Sequence, residues 1–562
     1  MFGGFSSSTF KRPLAKNAIS DMEDEFKRPS GQLSNRPVVN KFLLKEKDKL
    51  VVPDYYRSFG NHRIATHLRR QGWDIECLDY FYMFSEDELQ QYVDDRITKD
   101  TVFIGISIIF SLEKSSSVGI ISLMNYIRKK YPWVKFIAGG VKSYCITFLP
   151  NADYYIAGNG EYAIDATLKY IMGQGEKPKT KVVKSTGLEI IDAVRDYPCY
   201  PKRNASISYE ERDFIQPYET LNIELARGCR FKCKYCTYPL VGLKGNMRRD
   251  EDSVYEELLE NYERWGVWNY YFTDDTVNDS KEKMKMISDV VDRLPFQPQF
   301  NGYARADLLI RHGKETWNHM INSGFTSHSY GIESFNHASA KVMGKGMPPE
   351  EMKDGILEVE DYFNERSPYF YTGSLTMIAG LPHETFETLD KSKEWLNKYW
   401  HNHWITYSSL VIFRNDKDTI DEIDGNIFDD FTNYGYRFER FPTILDKDLI
   451  SQHRDNIKKG ELTNNNKPLF WNYWIHPSGK YDMIDMDDWV KDFLDERYEL
   501  GCNAVSSFGG SSVVMKEYES PQNMKDYYKV NSKSNTLNSV EILTQFVNQY
   551  KREKLSYKYG VL

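Results

Sequence analysis

The chain has 562 residues and a mass of 65.9 kDa, room for roughly three or four domains at about 100–200 residues each. Apolar residues make up 41 % and aromatics 15 %, which excludes wholesale disorder. The net charge of −8 excludes a protein held on nucleic acid by bulk charge, though not a local basic patch. The longest apolar run, Val102 to Phe110, falls far short of the ~20 residues that cross a bilayer. Met1-Phe2-Gly3-Gly4-Phe5-Ser6 lacks the basic-then-apolar pattern of a secretory leader. Seven cysteines are too few for a disulfide scaffold. A cytoplasmic, reducing setting is expected.

Residues 1–40 are polar and rich in Ser, Lys, Arg and Pro, and read as a disordered tail. From 41 to 175 the pattern alternates. Strands are expected at Leu50–Val52, Trp73–Tyr80, Val102–Ile109, Val134–Ala138 and Asp153–Ala157. Helices are expected through Ile64 and Leu68, and over Ser85–Val93, Val118–Lys130 and Glu161–Met172. Strand–helix alternation with short connections implies a doubly wound parallel sheet. Ligands of such sheets sit outside the C-terminal strand ends.

Residues 176–219 are charged, contain proline and lack apolar periodicity, so a linker is expected. A second alternating block spans 220–415. Its strands are expected at Leu221–Ala226, Trp268–Thr273, Phe300–Ala304, Ser327–Glu333, Gly373–Ala379 and Ile405–Ile412, with helices between them. Six units are too few for the eight of a closed barrel and suit a partial (β/α)6 one. Beyond 415 the alternation is lost. Residues 416–562 read as a mainly helical region capping the barrel mouth. The fold class is therefore α/β: a doubly wound sheet, a partial barrel and a helical C-terminal region.

Cys229, Cys233 and Cys236 fall within eight residues, directly after the first barrel strand, where parallel α/β folds place their chemistry. Three thiolates at this spacing can hold one face of a 4Fe–4S cluster and leave one iron open to a further ligand. A structural zinc site would need a fourth ligand and prefers cysteine pairs. No Cys or His follows nearby. Three unrelated core cysteines fit poorly with the charged and aromatic residues between them.

The Cys-x3-Cys-x-aromatic-Cys loop, with its lead-in Glu224-Leu225-Ala226-Arg227-Gly228, resembles the radical S-adenosylmethionine (radical SAM) superfamily over about 220–415. The resemblance implies that the three cysteines hold the cluster and that S-adenosylmethionine chelates the open iron. It implies reductive cleavage of that sulfonium to a 5′-deoxyadenosyl radical, and a low-potential electron donor of flavodoxin or ferredoxin type. Tyr235 matches the aromatic position near the adenine. Thr273, Asp274 and Asp275 end the second strand, where the family receives the SAM amino group. The family's glycines are missing there, and the bland alternative is a helix cap.

Arg305 ends the third strand and would pair with the SAM carboxylate as a fork, unless a salt bridge to Asp307 claims it. Glu333 and Ser334 end the fourth strand. There a carboxylate accepts from the ribose hydroxyls. Thr376 to Glu384 resembles the family's Gly-x-Ile-x-Gly-x3-Glu segment, with Thr376 for the first glycine. It would set Ile378 and Gly380 against the adenine.

A parallel domain placed before such a barrel resembles the cobalamin-binding, flavodoxin-like domain of one radical SAM class. On that resemblance Ser107, Gly139, Gly140 and Gly158 would approach a corrin, although glycines there are also ordinary turns. The Asp-x-His-x-x-Gly loop that supplies a cobalt ligand reads Asp54-Tyr55-Tyr56-Arg57-Ser58-Phe59-Gly60 here. No imidazole ligand is expected unless His62 takes that part. The reading is a radical SAM enzyme, of the oxidoreductase or methyltransferase type, that methylates or rearranges an unknown substrate with cobalamin. The alternatives are cobalamin-free oxidation or cyclisation, and a non-catalytic iron–sulfur module.

Overall fold

The computed structural model describes residues 57–81, 84–107, 114–140, 152–183, 188–200, 205–217, 219–236, 244–368, 371–401, 403–410, 412, 431–440, 472–500 and 548–557. The expected strand Leu50–Val52, the Asp54-Tyr55-Tyr56 segment, Ile108-Ile109 and the tail lie outside them.

The first sheet has five strands: β1 Phe103–Ser107, β2 Lys135–Gly139, β3 Tyr154–Ala157, β4 Lys181–Val183 and β5 Leu188–Asp192. Their spatial order is β1-β2-β3-β5-β4. β1, β2, β3 and β5 run parallel, and β4 is an antiparallel edge. Alternate residues feed opposite faces, as strand geometry requires. Phe136, Ala138, Tyr155 and Ala157 share a core with helices α2 Glu86–Asp94 and α3 Lys114–Lys130. Ile137, Ile156 and Ile191 share another with helix α1 Phe59–Arg69 and helix α4 Glu161–Ile171.

Two expectations are corrected. Trp73–Tyr80 forms no strand beyond one bridge residue at Leu78, although Ile75, Cys77 and Leu78 are buried. The charged stretch after 176 is more than a linker, because β4 and β5 extend the sheet. Val182 is exposed and Glu189 faces solvent. The buried run of this hairpin is short, Ile190 to Ala193, so it leaves little apolar periodicity.

The second sheet is the frame of the site. Strands β6 Thr220–Ile223, β9 Asn269–Phe272, β10 Gln299–Ala304, β11 Phe325–Glu333, β12 Thr372–Ala379 and β13 Trp404–Ser409 lie side by side in sequence order. Every neighbouring pair is parallel. The small pair β7 Ala226–Arg227 and β8 Met247–Arg248 follows β6. Helices Glu251–Trp265, Lys281–Val291, Ala306–Ser323, Pro349–Arg366 and Phe386–Tyr399 return the chain between strands. Phe272 stacks on Phe300 with centroids 4.7 Å apart, and Leu221, Tyr270, Phe325, Leu375 and Ile405 are fully buried. The six expected strands are all present, and β6 does not pair with β13.

The described C-terminal residues are helical only in part. Helix Met483–Glu499 and residues 548–556 are helical, but β14 Arg437–Arg440 and β15 Asn472–Ile475 form an antiparallel ribbon. The last helix returns to the first sheet's unit. The Asp79 N–H donates to Tyr550 Oη at 2.9 Å. Buried Lys554 donates to the carbonyls of Cys77 and Arg212 at 2.7 and 2.6 Å. Among the described residues no helix is long and apolar enough to cross a membrane.

Candidate functional site

Strand β6 delivers the three-cysteine loop to the C-terminal edge of the second sheet. Cys229, Cys233 and Cys236 are half-buried and free of disulfides. The loop is tied down by its backbone. Cys236 N–H donates to the Cys233 carbonyl at 3.1 Å, Lys234 N–H to the Met343 carbonyl at 3.3 Å, and Gly245 N–H to the Cys229 carbonyl at 3.3 Å. Burial raises the Cys229 thiol above its ordinary value, so a thiolate there calls for a cationic partner such as a metal. Three sulfurs on one restrained loop suit a cluster with an open corner.

Arg305, at the end of β10, donates from Nη1 to Cys233 Sγ at 3.3 Å. Its guanidinium lies over the Phe231 ring, 4.1 Å from the centroid. Asp307 takes the remaining edge in a fork at 3.0 and 2.8 Å. Arg305 therefore faces the cysteine loop with most of its donors committed inside the protein.

Of the acids ending β9, Asp274 is buried. It pairs with Lys283 at 2.6 Å and accepts from Leu225 N–H at 2.7 Å. It buttresses the end of the cysteine-bearing strand. Burial, first of all, raises its carboxyl despite Lys283. Asp275 stays half-exposed beside Cys229. Thr273 bonds the Ile223 carbonyl through its N–H at 2.9 Å.

Glu333 sits at a β-bulge against β12 with φ of +70°. A non-glycine residue held there stores strain of the kind found at ligand sites. Tyr235 Oη donates to Glu333 Oε1 at 2.6 Å. Buried Lys345 lies 3.5 Å from the same oxygen and donates to the Gly331 carbonyl at 2.7 Å. The structure thus brings Tyr235 and Glu333 together and adds Lys345, which sequence reasoning missed. Its signal was the Lys-Gly pair after the fourth strand. Ser334 instead donates to Glu384 Oε1 at 2.5 Å.

Ile378 is half-buried on β12. Thr376 stands where a glycine was expected because its hydroxyl donates to the Tyr330 carbonyl at 3.0 Å. Gly380 has φ of +93°, and a Cβ there would lie 2.5 Å from the Trp474 ring. Its glycine requirement thus comes from Trp474 packing over the strand end. Tyr436 Oη donates to the Gly380 carbonyl at 2.7 Å.

On the first sheet, Ser107 pairs with Gly139 and Gly139 with Ile156, so Ser107, Gly139, Gly140 and Gly158 share the C-terminal strand edge. Gly158 is glycine because a Cβ would strike Val194 Cγ2 at 2.5 Å. His62 is buried, with Nε2 2.7 Å from Asp79 Oδ2. Burial alone would lower its pKa, but Asp79 and Cys77 outweigh that and raise it to about 10. It is held inside its own domain by that pair.

A buried ion cluster missing from the sequence reading joins the two sheets. Arg227 Nη2 donates to Glu161 Oε1 at 3.0 Å and Arg63 Nη2 to the same oxygen at 3.1 Å. Arg227 also forks onto Glu224 at 2.8 and 3.0 Å. Glu161 opens helix α4 after the Gly158 turn, and Arg227 lies two residues before Cys229. The C-terminal edges of the two parallel sheets therefore meet here.

Residues 223–396 match the family model described as "Radical SAM superfamily". These residues form a radical SAM domain. The family implies a 4Fe–4S cluster and S-adenosylmethionine as cofactors, and the free, restrained cysteine loop fits the cluster. Among curated relatives of this chain is an uncharacterized methyltransferase of Pyrococcus horikoshii, 22 % identical over 57 % of the chain and 72 % of that protein. Another is a hopanoid C-2 methylase of Rhodopseudomonas palustris, 25 % identical over 40 % and 42 %. The fold resembles TsrM of Kitasatospora setae, a radical SAM methyltransferase solved with cobalamin and a [4Fe-4S] cluster. That match has a TM-score of 0.59 at 12 % identity and covers 88 % of this chain and 97 % of that one. It also resembles OxsB, a cobalamin-dependent radical enzyme solved with aqua-cobalamin and S-adenosylmethionine. There the TM-score is 0.52 at 14 % identity, over 96 % and 78 %.

Proposed function

We propose that this radical SAM enzyme is a cobalamin-dependent methyltransferase, with the first sheet as a flavodoxin-like cobalamin domain and Cys229, Cys233 and Cys236 as the cluster ligands. The observation that carries the reading is the buried Glu161–Arg227 bridge, which holds the C-terminal edges of two parallel sheets against each other. Ligands of parallel sheets lie at those edges, so two cofactors would share one seam. On α1, which brings Arg63 to that bridge, Asn61 Nδ2 and Arg63 Nε and Nη1 are buried without a hydrogen-bond partner among the described residues. Buried donors are rarely left unmade, and the amide carbonyls on a corrin rim are acceptors of the right kind. The names of the relatives point the same way.

When bound, the cofactors would supply one-electron cleavage of a sulfonium and a methyl carrier. The protein's own residues do the rest. Glu333 is held by Tyr235 and Lys345 in the position to accept from ribose hydroxyls. Asp275, half-exposed beside the cysteine loop, would meet an ammonium group. The ribbon residue Trp474 closes the end of β12 against water.

Protein reconstituted without oxygen, then incubated with hydroxocobalamin and desalted, is expected to keep corrin absorbance. With S-adenosylmethionine and reductant it is expected to release 5′-deoxyadenosine, and Cys233→Ala is expected to release none. Arg227→Met should lose retained corrin while keeping iron. Colourless wild-type protein would refute the cobalamin part, and zinc in place of iron would refute all of it.

A further inference from the structure

We infer that the face of the second sheet turned away from its helices is a substrate pocket for an uncharged sugar or a molecule bearing one. This deepens the reading above and rests on it, because the strand ends over that face are where the cofactors are placed.

Register assigns the side chains to faces, since residues paired across neighbouring strands lie on one side of a sheet. Tyr271 on β9 pairs with Asn301 on β10, and Asn301 with Ser327 on β11. Tyr303 pairs with Ser329, and Ser329 with Ser374 on β12. Their chain neighbours Phe272, Phe300, Tyr330 and Leu375 are turned the other way, into the apolar core under the helices. The face opposite that core is polar without being charged. Among the described residues it carries no Asp, Glu, Lys or Arg below Glu333. Solvent reaches it: Tyr303 is 47 % exposed, and Tyr271, Ser327 and Thr376 are half-buried.

Asn301 Oδ1, Ser327 Oγ and Ser374 Oγ are buried on this face with no hydrogen-bond partner among the described residues. Asn301 and Ser374 are buried as whole side chains. Thr220 Oγ1 and Asn269 Nδ2, paired across β6 and β9, are in the same state. Buried polar groups are rarely left unmade. This set mixes an acceptor, a donor and hydroxyls that do both, so the matching ligand groups are themselves hydroxyls. A phosphate or carboxylate would bring a charge to a face without a counter-ion, which burial penalises. An apolar ligand would leave the same atoms unmade. Tyr271 and Tyr303 supply the other half of a sugar site. Their rings meet edge to face, 6.3 Å apart, and offer apolar surface with polar tips, on which the C–H face of a pyranose can lie. Asn301, Ser327 and Ser374 stand on three successive strands, roughly 10 Å from first to last, the reach of one ring and its hydrogen bonds.

The test uses the full chain loaded with iron, sulfide and hydroxocobalamin. S-adenosylmethionine is present without reductant, so that the site for its own ribose is filled. Saturation-transfer NMR is run with D-glucose, D-galactose, D-mannose and N-acetyl-D-glucosamine as probes, and with L-tryptophan as the aromatic alternative. At least one of the sugars is expected to receive saturation from the wild type. Asn301→Leu and Tyr303→Ala are each expected to weaken its binding about tenfold or more, while loading iron and corrin as the wild type does. Tyr303 is exposed, so its truncation leaves no hole in the core. Transfer to none of the four sugars, transfer that both variants leave intact, or transfer to L-tryptophan alone would overturn the inference. With iron and corrin retained, those results leave the cofactor reading standing. Sugar held by protein that retains no corrin would instead sink the cobalamin reading and keep the sugar site.

Discussion

Arg305 Nη1 points at Cys233 Sγ from 3.3 Å, with Asp307 holding the opposite edge of the guanidinium. A donor fixed in this way acts on the sulfur whatever else binds nearby. Hydrogen bonds and positive charge at a ligating sulfur stabilise the more electron-rich state and raise a cluster's potential.

Arg305→Gln is therefore expected to move the cluster potential to more negative values, by tens of millivolts, in a redox titration followed by electron paramagnetic resonance. Arg305→Lys should fall between, because an ammonium keeps the charge but not the fork. An unchanged potential together with weakened S-adenosylmethionine binding would give Arg305 the carboxylate role that the family resemblance implies.

The six barrel strands were legible because strands of a covered parallel sheet are near-continuous apolar runs bounded by polar turns. The cysteine loop was legible from spacing alone. What escaped the sequence lies far apart along it. Glu161 and Arg227 are separated by 66 positions, and neither has a local pattern that announces the other. Asp274 looked available because Lys283 belongs to the following helix. Trp73–Tyr80 has a strand's apolar alternation, but its neighbours give it one bridge rather than a ladder. Gly380 was readable as a close approach, yet the approaching group is Trp474, from a region without periodicity.

That contact gives a stability prediction. Gly380→Ala places a methyl group 2.5 Å from the Trp474 ring at φ of +93°. Overpacking costs about 1–3 kcal/mol and the left-handed backbone about 1–2 kcal/mol more. Urea unfolding should show a loss of roughly 2–5 kcal/mol. In a Trp474→Ala background the same substitution should cost clearly less, leaving the backbone part and the contact with Met486 Cγ at 3.2 Å. Equal costs in the two backgrounds would mean that Trp474 does not pack on this strand end.

Glu384 gives a pH dependence of definite sign. Burial raises its carboxyl from the ordinary 4.5 to about 7, against the pull of the Ser334 hydroxyl and the Leu381 and Gly380 N–H donors. The folded state then binds the proton more tightly than the unfolded chain does. Stability is unaffected below about 4.5, falls as pH rises from there to about 7, and stays reduced above that. The loss is about 3 kcal/mol at most. Glu384→Gln keeps the shape and can accept from both backbone N–H groups while donating to Ser334, so it is expected to lack this slope. The thermal midpoints of the two proteins should be closest near pH 4.5 and diverge in favour of the variant toward pH 7. A wild type that gains on the variant over that interval would mean the carboxylate is stabilised ionised, and that Ser334 and the two N–H donors outweigh burial.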